Sequence, residues 1–259
     1  MSIPGIRIDR TGAIIVVTLD RPERRNAVTF AMWMELARLF QGFGEDPTLR
    51  GVILTGAGSS FSAGADIADF AETRASIEQG IAYEEAVDAA CDAIASLGRP
   101  VLAAIKGYCF GGACNLAMAC DFRFLAPDAK MAIPAAKLSI VYGVRGTARL
   151  LALVGLAEAK RVFFTAKPFD AEHALRSGFG DRVDEDPVAA AQAFLEELSP
   201  LAPLSIAGAK SILTKLAMPD QPFDMAAADE VILHALRSDD YAEGRSAFSE
   251  KRPPCFQGR

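Results

Sequence analysis

Residues 51–66 read Gly51-Val52-Ile53-Leu54-Thr55-Gly56-Ala57-Gly58-Ser59-Ser60-Phe61-Ser62-Ala63-Gly64-Ala65-Asp66. A short apolar run that opens into a loop of small residues predicts a buried strand whose end stays uncrowded. A second strand of this kind, Val101-Leu102-Ala103-Ala104-Ile105, runs into Lys106-Gly107-Tyr108-Cys109-Phe110-Gly111-Gly112 and then a small-residue helix from Ala113 to Ala119. Two strand ends therefore feed two glycine-bearing turns.

Outward from these, Ile6 to Leu19 is an alternating segment whose strand Ile14–Leu19 is broken by Asp20-Arg21-Pro22. Thr29 is placed to cap a helix through Met32, Leu36, Leu39 and Phe40, which Gly42, Gly44 and Asp46-Pro47 bring to an end. Ile67 to Leu97 reads as one acidic helix closed by Gly98-Arg99-Pro100. Further strands are expected at Phe122–Ala126 and Arg182–Asp184, with a short extended piece at Ala132–Pro134. Gly143 and Gly146 punctuate the chain before helices at Ala148–Val154, Ala157–Phe164 and Phe169–Leu175. After Pro187 only helical periods remain, at Val188–Leu198, Pro203–Leu216 and Phe223–Phe248. Alternating strands and helices predict an α/β fold with right-handed crossovers, followed by a helical tail.

The chain has 259 residues, 51% of them hydrophobic, so a large core is available. Its 27 Lys and Arg residues against 33 Asp and Glu leave a net charge of −6, the wrong sign for gripping a phosphate backbone, and no nucleic-acid partner is expected. Apolar runs are cut by Lys106, Asn115, Asp121 and Glu158 before they reach the roughly 18 residues of a membrane span. The N-terminal residues carry no secretory pattern, so a cytoplasmic location is expected. Five cysteines are present, and Cys109, Cys114 and Cys120 lie among apolar residues with no Cys-x-x-Cys pair, which predicts free buried thiols and no metal site. His173 and His234 lie far from every glycine-rich segment, so histidine-centred chemistry is not expected. Neither a P-loop nor a Gly-x-Gly-x-x-Gly dinucleotide motif occurs.

Small residues let a ligand approach the main chain closely, and a helix that starts there has N–H groups without intrahelical partners. If Ala65 and Gly112 each aim an N–H at one carbonyl oxygen, the pair stabilises an enolate, each donor contributing on the order of 3 kcal/mol.

Arg21-Pro22 with Asn26-Ala27, the run Phe61 to Ile67, and Gly107-Tyr108 through Gly111-Gly112 to Asp121 resemble the enoyl-CoA hydratase/isomerase (crotonase) superfamily. Pro134 to Leu150, Ala174 to Gly178, and Phe248 with Glu250, Lys251 and Arg252 fit the same pattern, so the resemblance covers essentially the whole chain in order. It implies a spiral of repeated strand–strand–helix units over residues 1–190. Residues 191–259 would form a C-terminal helical region that assembles homotrimers, often paired into hexamers. It also implies an acyl-CoA substrate with no cofactor beyond coenzyme A itself, whose thioester oxygen is held by Ala65 and Gly112. Arg24 or Arg25 and the stretch Ala63, Gly64, Ala65, Asp66 and Ile67 match positions bordering the CoA moiety, with Gly111, Ala135 and Gly143 along the acyl site. Phe248 and Lys251 match the adenine end.

The sequence departs from the family at its proton-handling positions. Hydratases of the family use two glutamates, whose places are held here by Asn115 and Ala135, and an isomerase acid lies near the place held by Gly143. None of the three transfers a proton. Lys137, Tyr142 and Arg145 border the same segment, and Tyr142 lies at about the position of a tyrosine in the acyl-CoA decarboxylase branch. Glu72, Glu84 and Glu85 are further candidate bases, while Asp66 and Asp121 suit helix caps or braces. The expected activity is enolate chemistry on an acyl-CoA of the hydratase/isomerase kind. The alternatives are a decarboxylase that uses Tyr142 and a non-catalytic acyl-CoA binder.

Overall fold

The computed structural model describes residues 4–73, 75–137, 141–217, 238–240, 243, 247, 250 and 252–259. Strand β1 (Ile6–Thr11) turns at Gly12, whose φ of +59° suits glycine, into β2 (Ile14–Leu19), and the two pair antiparallel. Parallel neighbours follow: β3 (Gly51–Gly56), β4 (Val101–Ile105), β6 (Phe122–Leu125) and the short β9 (Arg182–Val183), in the order β1-β2-β3-β4-β6-β9. Every residue of β3 and β4 is buried, which explains their unbroken apolar sequence.

A second, small sheet joins β5 (Tyr108–Phe110), β7 (Lys130–Ala132) and β8 (Phe169–Asp170), and a bridge from Ser62 to Cys109 extends it by one turn. The chain leaves the large sheet after β3, β4 and β6, touches the small sheet at Ser62, β5 and β7, and then returns. This is the spiral that the sequence resemblance implies. Strand β5 was not apparent from the sequence because its three residues lie between Gly107 and Gly111 and read as loop.

Thr29 caps α1 (Phe30–Phe43), its hydroxyl accepting from the Met32 N–H at 3.3 Å. The acidic segment expected as one helix from Ile67 to Leu97 is instead a 3-10 turn (Ile67–Asp69), a single helical turn α2 (Phe70–Thr73) and then α3 (Ile77–Ser96). Ser76 and Gln79 form a reciprocal capping box, a local start signal that overrides the continuous periodicity. Helix α4 (Gly112–Ala119) follows β5. Helix α5 (Val144–Thr165) begins before Gly146 rather than after it and bends at Gly155, whose φ is +74°. Gly146 lies inside the helix, where a Cβ would come within 2.5 Å of the Tyr142 ring and 3.1 Å of Asn115 Oδ1, so close packing explains the glycine there.

Asp170 caps α6 (Ala171–Ser177), and α7 (Pro187–Leu198) and α8 (Pro203–Ala217) complete the helices with printed bounds. The helix expected at Phe223–Phe248 falls largely outside the described residues. No helix among the described residues is long and apolar enough to cross a membrane.

Alternate residues of one strand serve opposite faces of the large sheet. Val52 and Leu54 join Trp33, Phe40 and Ile94 in the main core, whereas Ile53 joins Leu102, Phe124 and the α7 residues Ala190, Ala191 and Leu195. Helix α8 is attached by a buried cation. Lys210 Nζ pairs with Asp121 at 2.7 Å and donates to the carbonyls of Arg99 (3.0 Å) and Ile94 (3.4 Å). Asp121 also accepts from the Val101 N–H at 2.7 Å, so it braces β4. Lys210→Met would leave that carboxylate unpaired, and urea denaturation is expected to show a loss of about 3 kcal/mol. Restoring much of it in the Lys210→Met, Asp121→Asn double variant would identify the unpaired charge as the cause.

Candidate active site

The loop after β3 is held by one buried side chain. Asn26 donates through Nδ2 to the carbonyls of Ala57 (2.8 Å) and Ser60 (2.7 Å), and its Oδ1 accepts from the Arg21 N–H at 3.0 Å. Arg25 and Asn26 both adopt left-handed conformations, with φ of 49° and 55°, which aims the asparagine inward. Ser62 Oγ donates to the Asn26 carbonyl at 2.7 Å and accepts from the Gly64 N–H at 3.0 Å. The Ala63 N–H donates to Arg25 O (2.8 Å) and the Asp66 N–H to Val28 O (2.9 Å), while Val28 N–H donates to Gly64 O (2.8 Å). Across residues 63–66, the Ala65 N–H is thus the one main-chain donor without an acceptor among the described residues.

The second loop presents a matching donor. Gly111, at φ +53° and ψ −117°, donates its N–H to Ala132 O at 2.8 Å, and α4 starts at the next residue. Gly112 occupies the first turn of α4, and its N–H also lacks an acceptor among the described residues. The two loops meet through their glycines. A Cβ on Gly64 would lie 2.3 Å from Phe110 O and 3.2 Å from Gly112 N, and a Cβ on Gly112 would lie 3.5 Å from Ala65 N and 3.0 Å from the Trp33 ring. Trp33 is fully buried and is fixed by its indole N–H donating to the Tyr83 hydroxyl at 3.0 Å. Two N–H groups without acceptors among the described residues are thus brought close across the loop contact, with the Trp33 ring packed against Gly112; paired donors of this kind can receive a developing oxyanion.

Around these donors the other expected residues fall as follows. Asp66 pairs with Arg21 at 2.8 Å and accepts from the Ala68 N–H at 3.2 Å, so it braces the loop. The Arg25 guanidinium lies 5.2 Å from the centre of the Tyr108 ring. Ile67 is exposed at 64% and Ala63 is exposed too, so this stretch forms the outer rim. Tyr142 donates its hydroxyl to Gly111 O at 3.1 Å, supporting the turn before Gly112. Burial pushes its phenol well above the ordinary tyrosine range, so it stays protonated.

Asn115 is buried, and its Oδ1 accepts from Arg149 Nη1 at 3.1 Å. Ala135 is half-buried and packs against the main core. Beside Gly143, a Cβ would lie 3.9 Å from Glu84 Oε2, so a carboxylate from α3 reaches the place where the family resemblance put an isomerase acid. Glu72 and Glu85 are exposed. Arg145 is paired with Asp92 and lies 3.8 Å from Asp88. His173 is engaged with Glu158 at 2.7 Å. Cys91, Cys109, Cys114 and Cys120 are free and buried. Phe248, Lys251, His234 and the side chain of Lys137 fall outside the described residues.

The sequence reading missed Arg149, Asp92 and the Trp33–Tyr83 pair. Arg149 and Asp92 sit among the other charged residues of α5 and α3, with no local signal to mark them, and their contact crosses 57 positions of sequence.

The sequence pattern described as enoyl-CoA hydratase/isomerase matches residues 9–259. A carnitinyl-CoA dehydratase of Escherichia coli strain K12 is 37% identical over 98% of this chain and 99% of its own length. Among solved structures, an enoyl-CoA hydratase/carnithine racemase from Magnetospirillum magneticum is 36% identical. It superposes with a TM-score of 0.91 over 100% of this chain and 97% of that one. An enoyl-CoA hydratase from Bacillus anthracis is 29% identical with a TM-score of 0.87 over 98% of this chain and 100% of that one. The chain belongs to the enoyl-CoA hydratase/isomerase family.

Gly64→Ala tests the contact between the loops. Its Cβ would strike Phe110 O at 2.3 Å in a backbone with φ of +93°, forcing the two donors apart. Turnover of any acyl-CoA that the wild type accepts is expected to fall by about 100-fold or more, the loss typical of one oxyanion donor. Unchanged turnover in a folded Gly64→Ala protein would separate the loop contact from the chemistry.

Proposed function

We propose that this protein is an acyl-CoA enzyme that works through the enolate of the thioester and does not add water with paired carboxylates. The observation that carries this reading is the pair of unpaired N–H groups at Ala65 and Gly112, adjacent across the Gly64–Gly112 contact. When a proton or carbon dioxide leaves the α-carbon, negative charge moves onto the thioester oxygen. Two preorganised donors stabilise that charge by about 3 kcal/mol each. The acyl-CoA names of the relatives support the substrate class.

Hydration needs a base for water and an acid for the α-carbon. Asn115 and Ala135 supply neither. Among the remaining carboxylates, Glu84 reaches the Gly143 side of the site and is assigned the α-proton transfer of an isomerase-type reaction. Decarboxylation would start without a base. The hydroxyl of Tyr142 is already donated to Gly111 O, so its role in this reading is to hold the donor turn.

A homotrimer or a dimer of trimers is proposed with it, supported by the exposed apolar side chains of Leu156, Phe164, Leu213 and Leu216. Light scattering at three or six chain masses agrees with that assembly, and a monomer mass contradicts it.

The purified protein should be mixed with crotonyl-CoA, a 3-enoyl-CoA and a malonyl-type CoA, following each separately. Crotonyl-CoA hydration is expected to run on the order of 100-fold or more below that of glutamate-bearing relatives. Gly112→Pro, which deletes one donor, is expected to abolish whatever thioester chemistry is found. Hydration as fast as in those relatives, or turnover retained in Gly112→Pro, contradicts the reading. Tight binding with no turnover of any of the three would make the protein a binder.

A further inference from the structure

The place that hydratases of the family give to a glutamate holds an amide whose orientation is fixed by a buried cation. Arg149 is 7% exposed and projects from α5 between α3 and α4. Its Nη2 donates to Asp92 Oδ1 at 2.6 Å and its Nη1 to Asn115 Oδ1 at 3.1 Å. Asp92 in turn binds Arg145 through its other oxygen, and Asp88 stands 3.8 Å from Arg145. Two acids and two arginines thus form a balanced chain behind the site.

A guanidinium only donates and does not lose its proton in a protein. The Asn115 carboxamide must therefore turn its oxygen toward Arg149, because a flip would set NH2 against the cation. Gly146 closes the same side, a Cβ there lying 3.1 Å from Oδ1. Nδ2 is left pointing the other way. Asn115 is 5% exposed, and Nδ2 donates to nothing among the described residues. Yet Arg50 Nη1 is the only fully enclosed, unpartnered side-chain nitrogen or oxygen among them, so Nδ2 keeps an opening. Asn115 follows Gly112 by three residues, roughly 4.5 Å along α4.

Resting on the acyl-CoA reading above, we propose that Arg149 and Asp92 are positioning residues that lock Asn115 as a hydrogen-bond donor to the acyl chain. The site then selects acyl groups that carry an oxygen acceptor close to the α-carbon. A glutamate at this place would accept and transfer protons; the locked amide recognises oxygen and transfers none.

Butyryl-CoA and acetoacetyl-CoA differ by one acceptor oxygen on C3, and calorimetric titration of both gives a preference ratio. The wild type is expected to favour acetoacetyl-CoA by about fivefold or more, the scale of one hydrogen bond. Asn115→Asp keeps the size and the Arg149 contact but has no N–H, so the ratio should fall to one or below. Arg149→Lys, still a pure donor, should retain the preference, and Arg149→Met should lose it. Where Arg149→Met fails to fold, Asn115→Asp and Arg149→Lys decide. A wild-type ratio near one, or a ratio unchanged in Asn115→Asp, overturns the proposal while leaving the acyl-CoA reading intact. Failure of the wild type to bind either thioester overturns both.

Discussion

One constraint organises this molecule: the backbone at Gly64 runs so close to the second loop that a Cβ there would lie 2.3 Å from Phe110 O, while Gly112 packs against the Trp33 ring beside Ala65 N. Only then do two main-chain N–H groups from separate turns of the spiral stand side by side. Their lack of acceptors is not a defect of the fold. Ala65 and Gly112 are both half-buried, so a ligand that reaches them can complete the hydrogen bonding of these donors. The surrounding donors of residues 63, 64 and 66 are all satisfied, so the unsatisfied one is singled out by its neighbours.

The spiral explains how the approach is maintained. Each turn spends one strand in the large sheet and one step in the small sheet, so the bridge from Ser62 to Cys109 sets the two loops in register before either reaches its glycine. Asn26 stitches the first loop to the segment preceding α1, Tyr142 supports the second from just before α5, and Trp33 packs against Gly112. These supports come from distant parts of the chain, and three of the four contacts end on backbone carbonyls. Main-chain carbonyls thus anchor both loops, and the Arg21–Asp66 ion pair adds a brace to the first.

Much of this was legible in the sequence, and for local reasons. The apolar runs at 52–54 and 101–105, the Thr29 cap and the two glycine turns are each decided within a few residues. What escaped was either overridden by a short local signal or held by long-range contacts. The Ser76–Gln79 capping box interrupts an otherwise continuous helical period, and β5 is too short to show one. Arg149 meets Asn115 from a helix whose charged residues look like a solvated face, and of the three candidate glutamates only packing brings Glu84 beside Gly143. A charge 34 positions away from Asn115 leaves no trace in any local window.

A crystal structure with bound butyryl-CoA measures directly where the thioester oxygen sits. The oxygen should lie about 3 Å from the main-chain nitrogens of both Ala65 and Gly112. An oxygen found away from either nitrogen, or an Ala65 or Gly112 N–H turned to a protein acceptor in that complex, would show that these two donors do not hold the thioester.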